Sequence, residues 1–210
     1  MKFCENSVKL VNSNVGWTGE DYAWNIAFYI EKIARNGTQT QDRDNAMTRP
    51  IEFCRNAWNA RPRHSSIFEF VDLTFQLNTS IAVSRELIRH RLCNFNEKST
   101  RYCDESNLEV ILPYWWKDAS AEMQHRWAKY MECAERFYQE DIKAGMKRQE
   151  ARGALPLDAM TSVYIKANLV EWSHILRLRC DKAAHPDMRD LMNKVKMEIG
   201  RMCPWMEEAK

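Results

Sequence analysis

No stretch of the sequence approaches the roughly 18–20 consecutive apolar residues needed to span a bilayer, and the opening MKFCENSVKLVNSNVG lacks an apolar signal core. A cytoplasmic location is therefore expected, with no membrane partner. There is no C-x-x-C pair: Cys4, Cys54, Cys93, Cys103, Cys133, Cys180 and Cys203 are scattered and odd in number. That distribution argues against a disulfide framework or a zinc ribbon and suits free thiols in a reducing compartment. Charge of one sign is missing too. The 31 Lys+Arg stand against 29 Asp+Glu, a formal +2, which creates no global field to attract nucleic acid or an anionic membrane. Internal repeats, low-complexity tracts and long linkers are also absent.

What is present is a chain of 210 residues with 45% hydrophobic, 11% aromatic and 29% charged residues, enough to bury one core. A single domain over residues 1–210 is expected. Residues 7–11 read as a short strand, and residues 20–34 as a helix carrying Trp24, Ile26, Ala27, Ile30 and Ile33. A polar turn at 36–41 precedes a second helix over 44–58, with Pro50 near a turn or a helix start. Strict alternation marks a strand over 67–77, with Val71, Leu73, Phe75 and Leu77 on one face and Asp72, Thr74 and Gln76 on the other. Asn78, Thr79 and Ser80 offer caps for a helix over 81–91 that ends in Arg89, His90 and Arg91.

Further on, residues 108–112 form a strand candidate. Asp118 is placed to cap a long helix ending at Gly145, with Met123, Trp127, Tyr130, Ala134 and Phe137 as its core stripe. Asp158 or Thr161 starts a helix reaching Arg179. Pro186 opens a last helix that buries Met188, Leu191, Met192, Val195, Ile199 and Met202. Helices dominate, with a small sheet.

Chemistry concentrates in residues 85–102. Arg85, Arg89, Arg91, Arg101, His90, Glu86, Glu97, Ser99, Asn94 and Asn96 fall within eighteen positions with little apolar periodicity. Guanidinium forks match phosphate oxygens bidentately, and a Ser hydroxyl beside backbone amides completes an anion site. A phosphorylated small molecule is the natural guest. Taken alone, Arg89-His90-Arg91 also reads as a cationic helix end. A basic loop binding nucleic acid, with Phe95 and Tyr102 stacking on bases, is a further alternative that the near-neutral charge, Glu86 and Glu97 oppose.

Arg89-His90-Arg91 followed by seven residues and Ser99 resembles the R-H-R-x7-S signature of the flavin-dependent thymidylate synthases. Arg63-His64-Ser65-Ser66-Ile67-Phe68-Glu69 is similar to that family's G-H-x-[ST]-x-x-E segment, and Ala151-Arg152-Gly153-Ala154-Leu155-Pro156 to its A-R-x-x-L-P turn. Asn168, Leu176-Arg177-Leu178-Arg179 and Cys203-Pro204-Trp205 have counterparts as well. The resemblance covers about residues 60–205 and is weak over 1–60.

The resemblance implies an α/β fold of the α+β type, a small mostly antiparallel sheet flanked by long helices. It also implies a homotetramer with shared active sites that binds FAD, converts dUMP to dTMP, takes its one-carbon unit from methylenetetrahydrofolate and uses NADPH as reductant. Position by position, Glu86, Leu87, Ile88, Arg89, Glu97, Lys98, Ser99, Thr100, Arg101, Arg152 and Arg179 fall on dUMP contacts, with Ser99 and Arg101 as phosphate anchors. Ser66, Arg89, His90, Arg91, Glu97, Asn168 and His174 fall on FAD contacts, and His64 on a folate contact. Arg179 is the expected catalytic residue, a cation that holds the uracil edge and favours loss of its N3 proton.

No cysteine and no metal is given a role, because Cys93 has no fixed basic partner and the five His stand far apart in sequence. The chain departs from the family pattern at Phe70 and Ala183, where histidines are usual, and at Asn94, Val170, His174 and His185-Pro186. These departures leave a hydroxymethylated pyrimidine nucleotide open as an alternative product.

Overall fold

The computed structural model describes residues 1–15, 21–35 and 49–206. Its frame is a four-stranded antiparallel sheet in the order β2-β3-β6-β4, built from β2 (Ser7–Ser13), β3 (Asp72–Ser80), β6 (Met160–Asn168) and β4 (Asn94–Glu97). A parallel pair, β1 (Lys2–Cys4) with β5 (Glu109–Ile111), lies beside it, joined through a bridge from Val110 to Ala159. The expected mixed architecture with a small antiparallel sheet is the one observed.

The β3–β6 ladder runs through nine paired residues from Asp72↔Asn168 to Ser80↔Met160. Alternation puts Leu73, Phe75 and Leu77 opposite Ala167, Ile165 and Val163 on one face, all buried. Cross-strand apolar pairs of this kind are the unit of sheet stability. The opposite face is polar: Gln76 donates to Ser162 Oγ at 3.0 Å, and Lys166 pairs with Asp72 at 3.0 Å.

Helices cover the apolar face: α1 (Tyr22–Ala34), α2 (Pro50–Asn59), α6 (Leu169–Arg179) and α7 (Pro186–Met202). The α7 residues Met188, Leu191, Met192, Val195, Ile199 and Met202 are all buried, as their spacing foretold. Trp172 of α6 pins that helix to the sheet, stacking edge-on to Phe75 at 5.1 Å and donating its indole N–H to Leu73 O at 3.1 Å. The long helix α4 (Ala121–Lys143) covers a smaller cluster of Leu108, Val110, Met131 and Ala159. Among the described residues no helix is long and apolar enough to cross a membrane.

Several expectations are corrected. Residues 160–168 form a strand rather than the start of a helix. Thr161, Val163, Ile165 and Ala167 alternate with polar neighbours, and partners on both edges select the extended form. Residues Ser65–Phe70 form a 3-10 turn, so the neighbouring strand begins only at Asp72. The helix after Ser80, α3, spans Ile81–Leu87 and stops short of the arginine triplet, because the chain must turn back for Asn94 to pair with Lys166. Residues 94–97, read as loop, are that edge strand.

Ser120 rather than Asp118 caps α4, accepting from Met123 N. The helix ends at Lys143, followed by Gly145 at φ +93°, a left-handed turn that glycine permits. Its inner face is Trp127, Met131, Ala134 and Tyr138, whereas Met123, Tyr130 and Phe137 are 44%, 60% and 54% exposed. The turn expected at 36–41, the helix start at residue 44 and Glu20 lie outside the described residues.

Phe75 contacts both the central ladder and Trp172, so truncating it removes packing that nothing else replaces. Phe75→Ala is expected to cost about 3–5 kcal/mol, measured as a lower urea midpoint with an unchanged slope.

Candidate active site

Both central strands run straight into helices, capped without an intervening loop. Ser80 Oγ accepts from Val83 N at 3.3 Å at the start of α3, and Asn168 Oδ1 accepts from Glu171 N at 2.9 Å at the start of α6. Because the ladder is antiparallel, these helices start at opposite ends. The eleven residues of α6 then carry the chain about 16 Å back along the sheet, and its last residue, Arg179, arrives beside α3.

There Arg179 Nε donates to His90 Nε2 at 3.0 Å, one terminal nitrogen donates to Glu86 Oε2 at 3.3 Å, and the other to Glu86 O at 3.0 Å. His90 and Glu171 are 7% and 8% exposed, and His90 Nδ1 lies 3.8 Å from Glu171 Oε1. Burial, with the charges of Arg179 and His174, lowers the His90 pKa to about 4, so the ring is neutral near pH 7. Since Nε2 accepts from Arg179, the single ring proton belongs on Nδ1, facing Glu171.

Histidines far apart in sequence thus come together. The ligand atoms of His90, Glu171 and His174 lie within 4.8 Å of one another. Metal binding there requires His90 Nδ1 to lose its proton and Arg179, itself a cation, to turn away from Nε2. As built, only His90 of the three bonds Arg179, while Arg177 lies 3.2 Å from His174 Nδ1. Cys93 beside it is inert, its thiol pushed up to about 12 by burial and by the Glu171 carboxylate.

On the neighbouring side of α3 a pocket of about 570 Å³ opens between that helix and the segment following β4. Arg85, Glu97, Lys98, Ser99, Thr100, Arg152 and Thr161 supply its polar lining. Ser84 Oγ donates to Glu97 Oε1 at 2.6 Å, tying α3 to the end of β4, and Lys98 N bonds Ser162 O at 2.8 Å. The Lys98 ammonium is committed elsewhere, 2.8 and 2.9 Å from the two oxygens of buried Glu105.

Of the residues expected around dUMP, the structure gathers Glu97, Lys98, Ser99, Thr100 and Arg152 into this pocket. Glu86 and Arg179 stand together beside it, while Arg89 and Ile88 are exposed. Leu87 has its side chain in the core, leaving only its backbone for a ligand. Arg101 does not line the pocket. Its guanidinium bonds Gln149 Oε1 at 3.3 Å and lies over the Tyr102 ring.

Of the expected FAD residues, Arg89, Arg91, His174 and Ser66 are exposed, whereas His90 turns both ring nitrogens inward. His64 borders a separate apolar groove of about 420 Å³ lined by Phe53, Ala57, Ala60 and Ile67. Arg85, part of the arginine-rich segment but of none of the expected dUMP contacts, also lines this pocket, one turn after Ile81. Glu171 and Glu105 carry no expectation, because only the fold brings them to their partners.

An antiparallel sheet with a pocket at one ladder end, lined by two arginines and hydroxyl side chains, offers donors suited to an anionic small molecule. The model of the Thy1 family, described as thymidylate synthase complementing protein, matches residues 19–205, and the chain belongs to that family. The flavin-dependent thymidylate synthase of Synechocystis sp. is 29% identical over 175 residues, covering 77% of this chain and 79% of that one. That of Thermococcus onnurineus is 32% identical over 143 residues, 66% of this chain; the match spans 58% of the relative's length. The UMP/dUMP methylase PolB from Streptomyces cacaoi, solved with 5-Br dUMP, superimposes with a TM-score of 0.76 at 22% identity, covering 99% and 96% of the two chains. It shares the fold.

Because folded His90 stays neutral to about pH 4 and an unfolded histidine titrates near 6.5, the unfolded chain gains a proton first as pH falls. The stability tied to the neutral ring is full above pH 6.5 and declines toward pH 4. Urea midpoints of the wild type should therefore drop more steeply over that window than those of His90→Gln.

Proposed function

We propose that the protein methylates dUMP to dTMP, with methylenetetrahydrofolate as one-carbon donor, NADPH as reductant and FAD as resident cofactor. The observation that carries this reading is the pocket at the α3 end of the ladder, where Arg152, Ser99 and Thr100 offer a guanidinium and two hydroxyls. Such groups suit a phosphate monoester. Family membership supports the rest.

In this reading Arg179 holds the uracil. Three of its five N–H groups are taken by His90 and Glu86, which leaves two for the base edge, and the fixed cation stabilises negative charge at N3. Neutral His90 is a pure acceptor toward Arg179 and so sets its orientation. Glu86 holds the other side of the guanidinium. Ser99 acts as a ligand-binding hydroxyl, not a nucleophile, because its Oγ accepts from Arg101 N at 3.4 Å and no imidazole or amine bonds it.

The residues fit a flavin. Arg89 and Arg91 lie exposed just past the end of α3, suited to a pyrophosphate, and exposed His174 and Ser66 stand on α6 and the Ser65–Phe70 turn packed against it. FAD bound there would supply the redox chemistry. His64 beside its apolar groove suits the planar pterin of the folate.

A homotetramer with shared sites accords with Met123, Tyr130 and Phe137, an apolar stripe on the outer face of α4 that assembly would cover. Seven free cysteines suit the reducing cytoplasm.

The purified protein is expected to be yellow and to release tritium from 5-tritiated dUMP only when NADPH and methylenetetrahydrofolate are both present. Product mass should be that of dTMP. A colourless protein that takes up no added FAD contradicts the reading, and a 5-hydroxymethyl product replaces it with the hydroxymethylase. Arg179→Lys should lower kcat about 100-fold with unchanged flavin content.

A further inference from the structure

Arg85 matches no contact position in the family motif, yet the fold delivers it to the pocket. In α3, Ser84 and Leu87 are buried and the Ser84 hydroxyl is held on Glu97, which fixes the helix's rotation. Ile81 and Arg85, one turn apart, are thereby directed into the same cavity, with Arg152 also on its wall.

The charges around this cavity are unequally committed. Lys98 is neutralised by Glu105, whereas Glu97, the carboxylate on the same lining, accepts only from the neutral hydroxyl of Ser84. Arg101 is turned to Gln149 and Tyr102, and Arg179 is taken by Glu86 and His90. The guanidiniums of Arg85 and Arg152, by contrast, have no hydrogen-bond or ion-pair partner among the described residues. Two permanently cationic forks with free donors share this lining with one carboxylate, Glu97, which leaves the pocket net positive and favours an anion. A phosphate monoester, with a second pKa near 6, brings close to two negative charges and three acceptor oxygens to those donors.

We infer that Arg85 is a further substrate-binding residue of this chain, acting with Arg152 to hold the 5′-phosphate of the nucleotide and so to select nucleotide over nucleoside. The inference rests on the nucleotide reading of the pocket given above. It adds Arg85 to the guanidiniums expected at the phosphate. Because Arg85 is exposed and makes no structural bond, its replacement leaves the fold intact.

The test is calorimetric titration of the full-length, FAD-loaded protein with dUMP, deoxyuridine and inorganic phosphate, using the wild type, Arg85→Gln and Arg85→Lys. Loss of a charge-assisted contact to phosphate should weaken dUMP binding about 10- to 100-fold in Arg85→Gln. Deoxyuridine affinity should not change, inorganic phosphate should weaken in parallel with dUMP, and Arg85→Lys should recover part of the loss. Equal affinity of wild type and Arg85→Gln for dUMP overturns the role of Arg85 while leaving the nucleotide reading in place. The same holds if dUMP and deoxyuridine weaken equally. A wild type that binds neither dUMP nor phosphate overturns the nucleotide reading itself, and the inference with it.

Discussion

The nine-residue antiparallel ladder between β3 and β6 is the constraint on which the molecule depends. Its apolar face seeds the main core, and its two strands pass directly into α3 and α6 through the caps at Ser80 and Asn168. Since the strands are antiparallel, α6 has to travel back along the sheet, and this return brings Arg179 to Glu86 and His90. The edge strand β4 pairs with the same β6 and delivers Glu97 to Thr100 to the same end. Segments nearly a hundred residues apart thus converge on one ladder end without a long active-site loop.

Electrostatics divides that end into two compartments. On one side Arg179 bonds Glu86 and His90, and buried His90 turns its other ring nitrogen toward Glu171, 3.8 Å away. Burial keeps the imidazole neutral, so it accepts from the guanidinium instead of repelling it. On the other side the guanidiniums of Arg85 and Arg152 have no hydrogen-bond or ion-pair partner among the described residues and share the pocket lining with Glu97. In the proposed reading the first side orients a cation toward the base and the second offers donors to the phosphate.

Much of this was legible in the residues themselves. The alternation at Val71, Leu73, Phe75 and Leu77 located the β3 core face, and the α7 apolar positions were read off their spacing. The arginine-rich segment stood out because dense polarity without periodicity seldom serves packing. Residues 160–168 were misread because Val163, Ala167 and Val170 also suit helical spacing, and only pairing on both edges selects the strand. The stripe expected for α4 joins two faces, Trp127 and Ala134 inward and Met123, Tyr130 and Phe137 outward, because apolar periodicity alone does not say which residues meet the core. Glu105 and Glu171 acquire their meaning from partners brought near by the fold, Lys98 and His90, which no local pattern records.

The central claim is that one end of the β3–β6 ladder is where small-molecule chemistry is assembled. Hydrogen–deuterium exchange of the FAD-loaded protein with and without dUMP tests it directly. Nucleotide should slow exchange in residues 81–88, 97–101 and 152–154 and leave the β1–β5 pair unaffected. Protection centred on β1 and β5, or confined to α4, would contradict the account.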